Sequence, residues 1–484
     1  MKGNNNFFRV PPGLVKRYYA ENSALPRYRT EFMRDRDRLM YATAFRRLSG
    51  KTQIYTVGGD DHRKNRLTHT LEVAQIARTI AAALGFDTDL AEAIALGHDF
   101  GHTPFGHAGE RMLHEIMIPE SCYVKDSPFY NTSAYKIEQK LKQENQQYAK
   151  LVDWAYGFKH NIQSVRVAAV LENSYCDDTR KNIGLNLTNF ALFGMMIHSN
   201  LYYKDHDFHP NYQKVFKRQM SIDDDKDHLA WSFEAYIVRW SDDIAQWHHD
   251  LEDAMREGAL PVNRICETIR ESLGRRLNDT DKAKLSEIEK APLVDRKRIA
   301  VLSHIVVNTL VNDLVETSKA NLKALQTEAE HRQIIEEETD GIFTDFDQYT
   351  FSMKKEEVIT ASKEIYSDNF KDTIKEAIHH SRGVERMNEK GKYIIRKLFE
   401  AYCSHPQLLP DGPILHFLTE FDPIQYPNID EAKEKGIGKA RTDFDVIIKK
   451  DSMYASCLLM RRICDHIACM TDHYAITEYN NLYG

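Results

Sequence analysis

The stretch "NRLTHTLEVAQIARTIAAALGFDTDLAEAIALGHDFGH" (Asn65–His102) decides the fold. Within it His69, Val73, Ile76, Ala77, Ile80 and Leu84 advance by four, three, one, three and four residues, which traces one helix face. On this reading His69 opens the helix just after Thr68. Asp87 or Asp89 then offers an N-cap, and "LAEAIALG" is so apolar that its helix belongs inside the protein. Gly101 and Pro104 are expected to stop it. The buried helix ends in His98 and Asp99, an imidazole and a carboxylate that are costly to bury unpaired.

Outward from this pair the same periodicity continues. "NIQSVRVAAVLEN" (161–173) and "SFEAYIVRWSDDIAQWHHDLEDAMREG" (232–258) read as two further helices. The second closes at Gly258 and Pro261, which suggests a boundary. Helical stretches follow near 262–277, 292–326, 353–380 and 384–404. The acidic "TEAEHRQIIEEETD" (327–340) reads as solvated, "GIFTDFDQYTFSM" (341–353) as a short strand pair, and 120–135 as a surface insertion. An all-α chain is expected, with a catalytic core over 1–260 and a further helical region over 261–484 that packs on it and completes the site.

The 484 residues carry 42% hydrophobic and 28% charged side chains, ordinary for a globular chain. A net charge of −7 excludes a general nucleic-acid-coating protein. No apolar run approaches the ~18 residues of a membrane helix. Seven cysteines, an odd number without a CxxC pair, fit free thiols and a cytoplasmic setting. Charge is uneven: Arg27, Arg29, Arg34, Arg36, Arg38, Arg46, Arg47 and Lys51 face only Glu31, Asp35 and Asp37. Such a segment either offers phosphates a basic surface or pairs internally along a helix. Its Tyr28, Phe32, Tyr41 and Phe45 are expected on the core face.

His69, His98, Asp99 and Asp242 stand out as a metal set. Two nitrogens and two oxygens suit one divalent ion such as Mn, Mg, Co, Fe, Ni or Zn, with open positions for water and substrate oxygens. A lone His-Asp dipeptide is more often a capping Asp beside a packed His. The surrounding motifs decide otherwise. "NRLTHTLEVAQIAR" (65–78), "LGHDFGHTPFGHAGE" (96–110), "FKHNIQSVRV" (158–167), "GLNLT" (184–188) and "SDDIAQWHHDLEDA" (241–254) occur in an order that resembles the HD-domain dGTP triphosphohydrolase (dNTPase) family. "RDRDRLMYATAFRRLSGKTQIY" (34–55) and "DHIACMTDHYAI" (465–476) extend the resemblance to both ends.

The resemblance implies an HD-domain helical fold and hydrolysis of a deoxynucleoside triphosphate at the α-phosphorus, releasing a deoxynucleoside and inorganic triphosphate. It implies His69, His98, Asp99 and Asp242 as metal ligands and His102, His107, Glu110 and His160 as catalytic residues. His107 and Glu110, three apart, can form a dyad if a helix starts at Ala108. Arg66 matches an α-phosphate contact, and Gln53 and Asp250 match contacts to the sugar 3′-hydroxyl. Asp242, Gln246, His249 and Asp250 share one helix face. Further implied are a homo-oligomer, often a hexamer, and a nucleotide or single-stranded DNA effector, with no membrane partner.

Two positions depart from the pattern. Gln246 stands where the family has a tyrosine packed against the sugar C2′, so discrimination against ribonucleotides is open. After "GLNLT" the family's Lys-Tyr-Pro is replaced by "MMIHSNLYYK" (195–204), with Lys204, Lys214, Lys217 and Arg218 as candidate phosphate contacts or solvated charges. Two other readings therefore stand beside the first: an HD phosphohydrolase of a ribonucleotide, monophosphate or signalling nucleotide, and a nucleic-acid-binding sensor with a vestigial HD site.

Overall fold

Side-chain caps and glycines set the helix boundaries around the HD pair. In the computed structural model Asn65 and Thr68 form a capping box, so the first helix starts at Arg66, three residues before His69. It ends at Gly85, whose left-handed φ of 81° a side-chain-bearing residue would resist. Asp87 caps the next helix by accepting from the Asp89 and Leu90 amides. The described residues are 8–19, 21, 26–53, 64–117, 157–177, 182–198, 231–256, 258–290, 296–331, 351–362, 365, 382–450 and 453–484.

The N-terminal helices are α1 (Glu31–Tyr41), α2 (Thr43–Arg47), α3 (Arg66–Leu84), α4 (Thr88–Gly97), α5 (Gly106–Met117), α6 (His160–Arg166), α7 (Asn189–Ile197) and α8 (Phe233–Arg256). There follow α9 (Val262–Leu273), α10 (Asp279–Glu289), α11 (Arg296–His331) and α12 (Lys355–Val358). The last group is α13 (Arg382–Ser404), α14 (Asp411–Phe421), α15 (Ile429–Glu434), α16 (Ile437–Lys449), α17 (Met453–Ala468) and α18 (Asp472–Tyr483). No strand occurs among the described residues, in keeping with the all-α expectation. Most of the strand pair expected at 341–353, the insertion at 120–135 and much of the helix expected over 353–380 lie outside them. Within the last, α12 spans only Lys355–Val358.

Two apolar cores organise the chain. The first joins α1, α3, α4, α6–α11 and the Val358–Ile365 segment, and the second joins α5 to α13–α18. The face expected on α3 is buried throughout, from His69 and Val73 to Leu84. α11 carries an 18-residue window of mean hydropathy 1.4, so it has the length and composition of a membrane span. Half of that window is buried, and the helix packs on α8 and α3.

The HD motif lies at the seam of the two cores. α4 ends at Gly97, four residues before Gly101, and the turn 98–105 leads into α5, which starts at Gly106 rather than Ala108. Gly101 is required by a close approach: a Cβ there would sit 2.2 Å from the His160 carbonyl oxygen and the Ser164 nitrogen. Its amide donates to Ser164 Oγ at 2.9 Å, and that hydroxyl donates to the His98 carbonyl at 2.6 Å. α6 is thereby locked across the turn.

The second core holds the turn from its other side. The buried Lys51 ammonium donates to the carbonyls of His102 and Ala468 (2.8 Å to the latter). Asp472, at the start of α18, accepts from the Thr52 amide at 3.0 Å, from the Thr52 hydroxyl, and from the Phe105 amide at 2.9 Å. Phe105 has a φ of 62°, a conformation that needs such an anchor. Asp465 on α17 accepts from Arg166 Nη2 at 2.7 Å and Gln163 Nε2 at 3.0 Å, tying α6 to the same unit.

The basic N-terminal segment is mostly neutralised. Arg29 pairs with Asp37 at 2.7 Å, Arg36 with Asp89 at 2.6 Å and Arg38 with Glu21 at 2.6 Å, and Arg34 also pairs with Glu21. The expected core stripe is only partly present: Phe32 is buried, but Tyr28 and Tyr41 are exposed. Tyr28 precedes α1, and the chain turns extended at Ala42, so the helical register does not carry through to Phe45.

Asp472→Ala would orphan two buried amides at a cost of about 1–3 kcal/mol each. Hydrogen exchange of the Thr52 and Phe105 amides should accelerate by ~10-fold or more. Unchanged protection would show that Asp472 does not hold the turn.

Candidate active site

Three helices supply the candidate donor set. His69 comes from the first turn of α3, His98 and Asp99 from the end of α4, and Asp242 from the middle of α8. His69 Nε2 lies 2.9 Å from Asp242 Oδ1. His98 Nε2 lies 3.4 Å from Asp99 Oδ1 and 3.8 Å from Asp242 Oδ1. One ligand atom each from His69, His98 and Asp99 falls within 4.8 Å of the others. The four expected metal ligands are thus brought together.

The donor set fits a divalent ion. His98 Nδ1 donates to the Ala95 carbonyl at 2.6 Å, which fixes the tautomer and leaves Nε2 as a bare lone pair. That Nε2 is buried with no hydrogen-bond partner. An orphaned lone pair among two carboxylates and a second imidazole is the arrangement a cation satisfies. Burial opposes charge on Asp99, but His98, Arg66 and His102 outweigh it and hold its carboxyl well below the ordinary range. Asp242 is likewise held down against burial, by the His69 hydrogen bond and the charges of His98 and His69.

Two of the expected catalytic histidines, His107 and His160, meet on Glu110. Its Oε2 lies 3.1 Å from His107 Nδ1, and its Oε1 lies 3.0 Å from His160 Nδ1 and accepts from the His160 amide at 3.2 Å. The expected dyad is therefore a triad with one carboxylate between two imidazoles. Burial opposes charge on Glu110, but His160, His107 and Lys159 outweigh it and hold the carboxyl well below its usual range. His102 and His160 stack with ring centroids 3.9 Å apart. His102 Nε2 sits 3.1 Å from Asp99 Oδ1, while its Nδ1 is buried without a partner. Burial, then the charges of Arg66 and His160, hold the His102 imidazole well below its usual range, against the opposing pull of Asp99. His107 differs from the other two in being half exposed.

Of the expected substrate contacts, Arg66 reaches these clusters directly, through Asp99. Arg66 is no surface residue: it is 2% exposed and its Nη1 donates to Asp99 Oδ2 at 2.7 Å. A Cβ placed on Gly106 would lie 3.5 Å from both Arg66 Nη2 and the Gln53 carbonyl oxygen, so these residues share one corner. Gln53 Oε1 is buried without a partner. Asp250 is buried and Gln246 half-buried on α8. His249, on the same helix face, has its ring 5.2 Å from that of His69 and its Nε2 against Glu72. Lys204, Lys214, Lys217 and Arg218 lie outside the described residues.

Three contributors went unrecognised in the sequence. Lys51 and Asp472 are ordinary residues in ordinary stretches, and only their tertiary contacts reveal them. His198 is the third: its ring stands 5.1 Å from His98 and 5.6 Å from His160. A signal was present, since His198 lies in the stretch that replaces Lys-Tyr-Pro.

Comparison with known proteins agrees with this geometry. An HD domain matches residues 66–166, which contain the His69, His98, Asp99 and Glu110 positions. A phosphohydrolase-associated domain matches 446–481, which contains Asp465 and Asp472. The chain is 30% identical over 462 residues to a deoxyguanosinetriphosphate triphosphohydrolase-like protein of Bartonella henselae, covering 94% of this chain and 90% of the relative. It is also 30% identical over 470 residues to a protein of the same description from an Azoarcus species, covering 97% and 94%. The site is built on a metal-binding phosphohydrolase fold, and the chain belongs to the HD-domain deoxyguanosinetriphosphate triphosphohydrolase-like family.

Proposed function

We propose that this protein hydrolyses a deoxynucleoside triphosphate, of the dGTP kind, at the α-phosphorus to give a deoxynucleoside and inorganic triphosphate. The observation that carries the reading is the juxtaposition of two clusters: the His69–His98–Asp99–Asp242 donor set and, beside it, Glu110 bridging His107 and His160. The relatives' description as triphosphohydrolase-like proteins supports the same reaction.

One divalent ion held by His69, His98, Asp99 and Asp242 would polarise a phosphoryl oxygen and acidify a water. The chain's own groups do the rest. Arg66, its Nη1 spent on Asp99, offers its remaining edge to phosphate oxygens. Glu110 fixes the imidazole of His107 through Nδ1, so that Nε2 of this half-exposed ring handles the proton of water or of the leaving 5′-oxygen. The same carboxylate fixes His160, and the His102–His160 stack walls the reaction space. Gln53 presents a buried, unpartnered carbonyl oxygen to a sugar hydroxyl, and Asp250 is assigned the 3′-hydroxyl. Water attacks phosphorus, the P–O5′ bond breaks, and the proton ends on O5′.

Gln246 keeps a second substrate class in view, because an amide can hydrogen-bond a 2′-hydroxyl where a packed tyrosine would exclude it. A homo-oligomer and a nucleotide or single-stranded DNA effector belong to the same reading. Sedimentation with and without dNTP or oligodeoxynucleotide tests both.

A panel of dNTPs and NTPs with Mn²⁺, Mg²⁺ and Co²⁺, products read by mass, tests the reaction. Inorganic triphosphate is expected, and pyrophosphate or orthophosphate as the first product would refute it. His107→Ala should lower turnover by a factor on the order of 10² or more with metal content retained. Wild-type turnover would remove His107 from the chemistry. Gln246→Tyr should raise the ratio of dNTP to NTP kcat/KM by roughly 10-fold. An unchanged ratio would show that this position does not read the sugar.

A further inference from the structure

His98 and His198 are built alike. Each ends a helix, and each Nδ1 donates to the carbonyl three residues earlier, Ala95 at 2.6 Å and Met195 at 2.7 Å. A carbonyl only accepts, so in both rings the proton is on Nδ1 and Nε2 is a bare acceptor. Both Nε2 atoms are buried without a partner among the described residues. For His98 the metal set accounts for this. For His198, 1% exposed, nothing yet does. Leaving such an atom unsatisfied costs about 1–3 kcal/mol.

Its surroundings narrow what would satisfy it. The ring stands edge-on to His98, with an interplanar angle of 86°, and tilted against His160. It therefore lines the wall between the donor set and the Glu110 triad. A bare imidazole nitrogen there repels phosphate oxygens, so it does not replace a phosphate-binding lysine. It takes a hydrogen bond from an O–H group.

We propose that His198 is a binding residue of the active site, its Nε2 accepting a hydrogen bond from an O–H donor held between His98 and His160, either the attacking water or a nucleotide hydroxyl. The inference rests on the reading of this cluster as a nucleotide hydrolysis site. His198 would fix the position and orientation of that oxygen, and no proton needs to leave it.

Two measurements test it. In full-length ¹⁵N-histidine-labelled protein, the His198 Nε2 resonance is followed without metal, with Mg²⁺, and with Mg²⁺ plus an α,β-imido dGTP analogue. A move from the bare-acceptor to the hydrogen-bonded range with Mg²⁺ alone assigns the donor as water, and a move only with the analogue assigns it as a nucleotide hydroxyl. No move in either condition overturns the proposal. In steady state, His198→Phe keeps the ring and removes the acceptor, while His198→Gln restores an oxygen. His198→Phe should lower kcat/KM by ~10-fold or more, with metal content unchanged and His198→Gln recovering part. A water donor places the loss in kcat for every nucleotide. A hydroxyl donor places it in KM, and only for nucleotides that carry that hydroxyl. Equal damage by both variants together with lost metal, or no damage by either, overturns the proposal. If the first product is not triphosphate the reaction assignment fails, yet the Nε2 resonance still reports on His198.

Discussion

The site is organised by one buried carboxylate, Asp99. Arg66 donates to its Oδ2, and His98 and His102 converge on its Oδ1. A carboxylate this deep is stable only where surrounding charge and donors offset its desolvation. That requirement fixes three other features. Arg66 must sit in the first turn of α3, α4 must stop where His98 can turn toward α8, and the following turn must fold His102 back. Gly101 follows from the last of these, because α6 crosses so closely that no side chain fits there.

The second core makes the turn durable. Asp472 accepts from the Thr52 and Phe105 amides, and Lys51 links the His102 carbonyl to that of Ala468, so the region matched as a phosphohydrolase-associated domain supports the turn after the HD pair through main-chain hydrogen bonds. Asp465 does the same for α6 through Arg166 and Gln163. The groups proposed to face the sugar and to handle the proton, at Gln53 and at the start of α5, therefore depend on helices more than 350 residues later in the chain.

Periodicity made the helices around the HD pair legible, because α3 and α4 bury nearly every residue of an apolar face. Their edges were less so. α3 begins at Arg66 because Asn65 and Thr68 cap each other, and α5 begins at Gly106 because that glycine and Phe105 adopt positive φ. The His69–His98–Asp99–Asp242 set was nameable from residue types and order, and the His107–Glu110 pair from the family resemblance and its spacing of three. The second imidazole on Glu110, the ion pair between Arg66 and Asp99, and the position of His198 were not, since each joins elements that spacing cannot relate. The basic N-terminal segment misled in a physical way: arginines that look available in sequence meet Glu21 and Asp89, which lie elsewhere along the chain.

The reaction proposed for this arrangement cleaves the nucleotide at a single bond, P–O5′ at the α-phosphorus. Hydrolysis of dGTP in H₂¹⁸O with the metal-loaded protein tests that claim most directly. The account predicts one ¹⁸O in the inorganic triphosphate and none in the deoxynucleoside. Label in the deoxynucleoside, or label in orthophosphate or pyrophosphate as the first product, would contradict it.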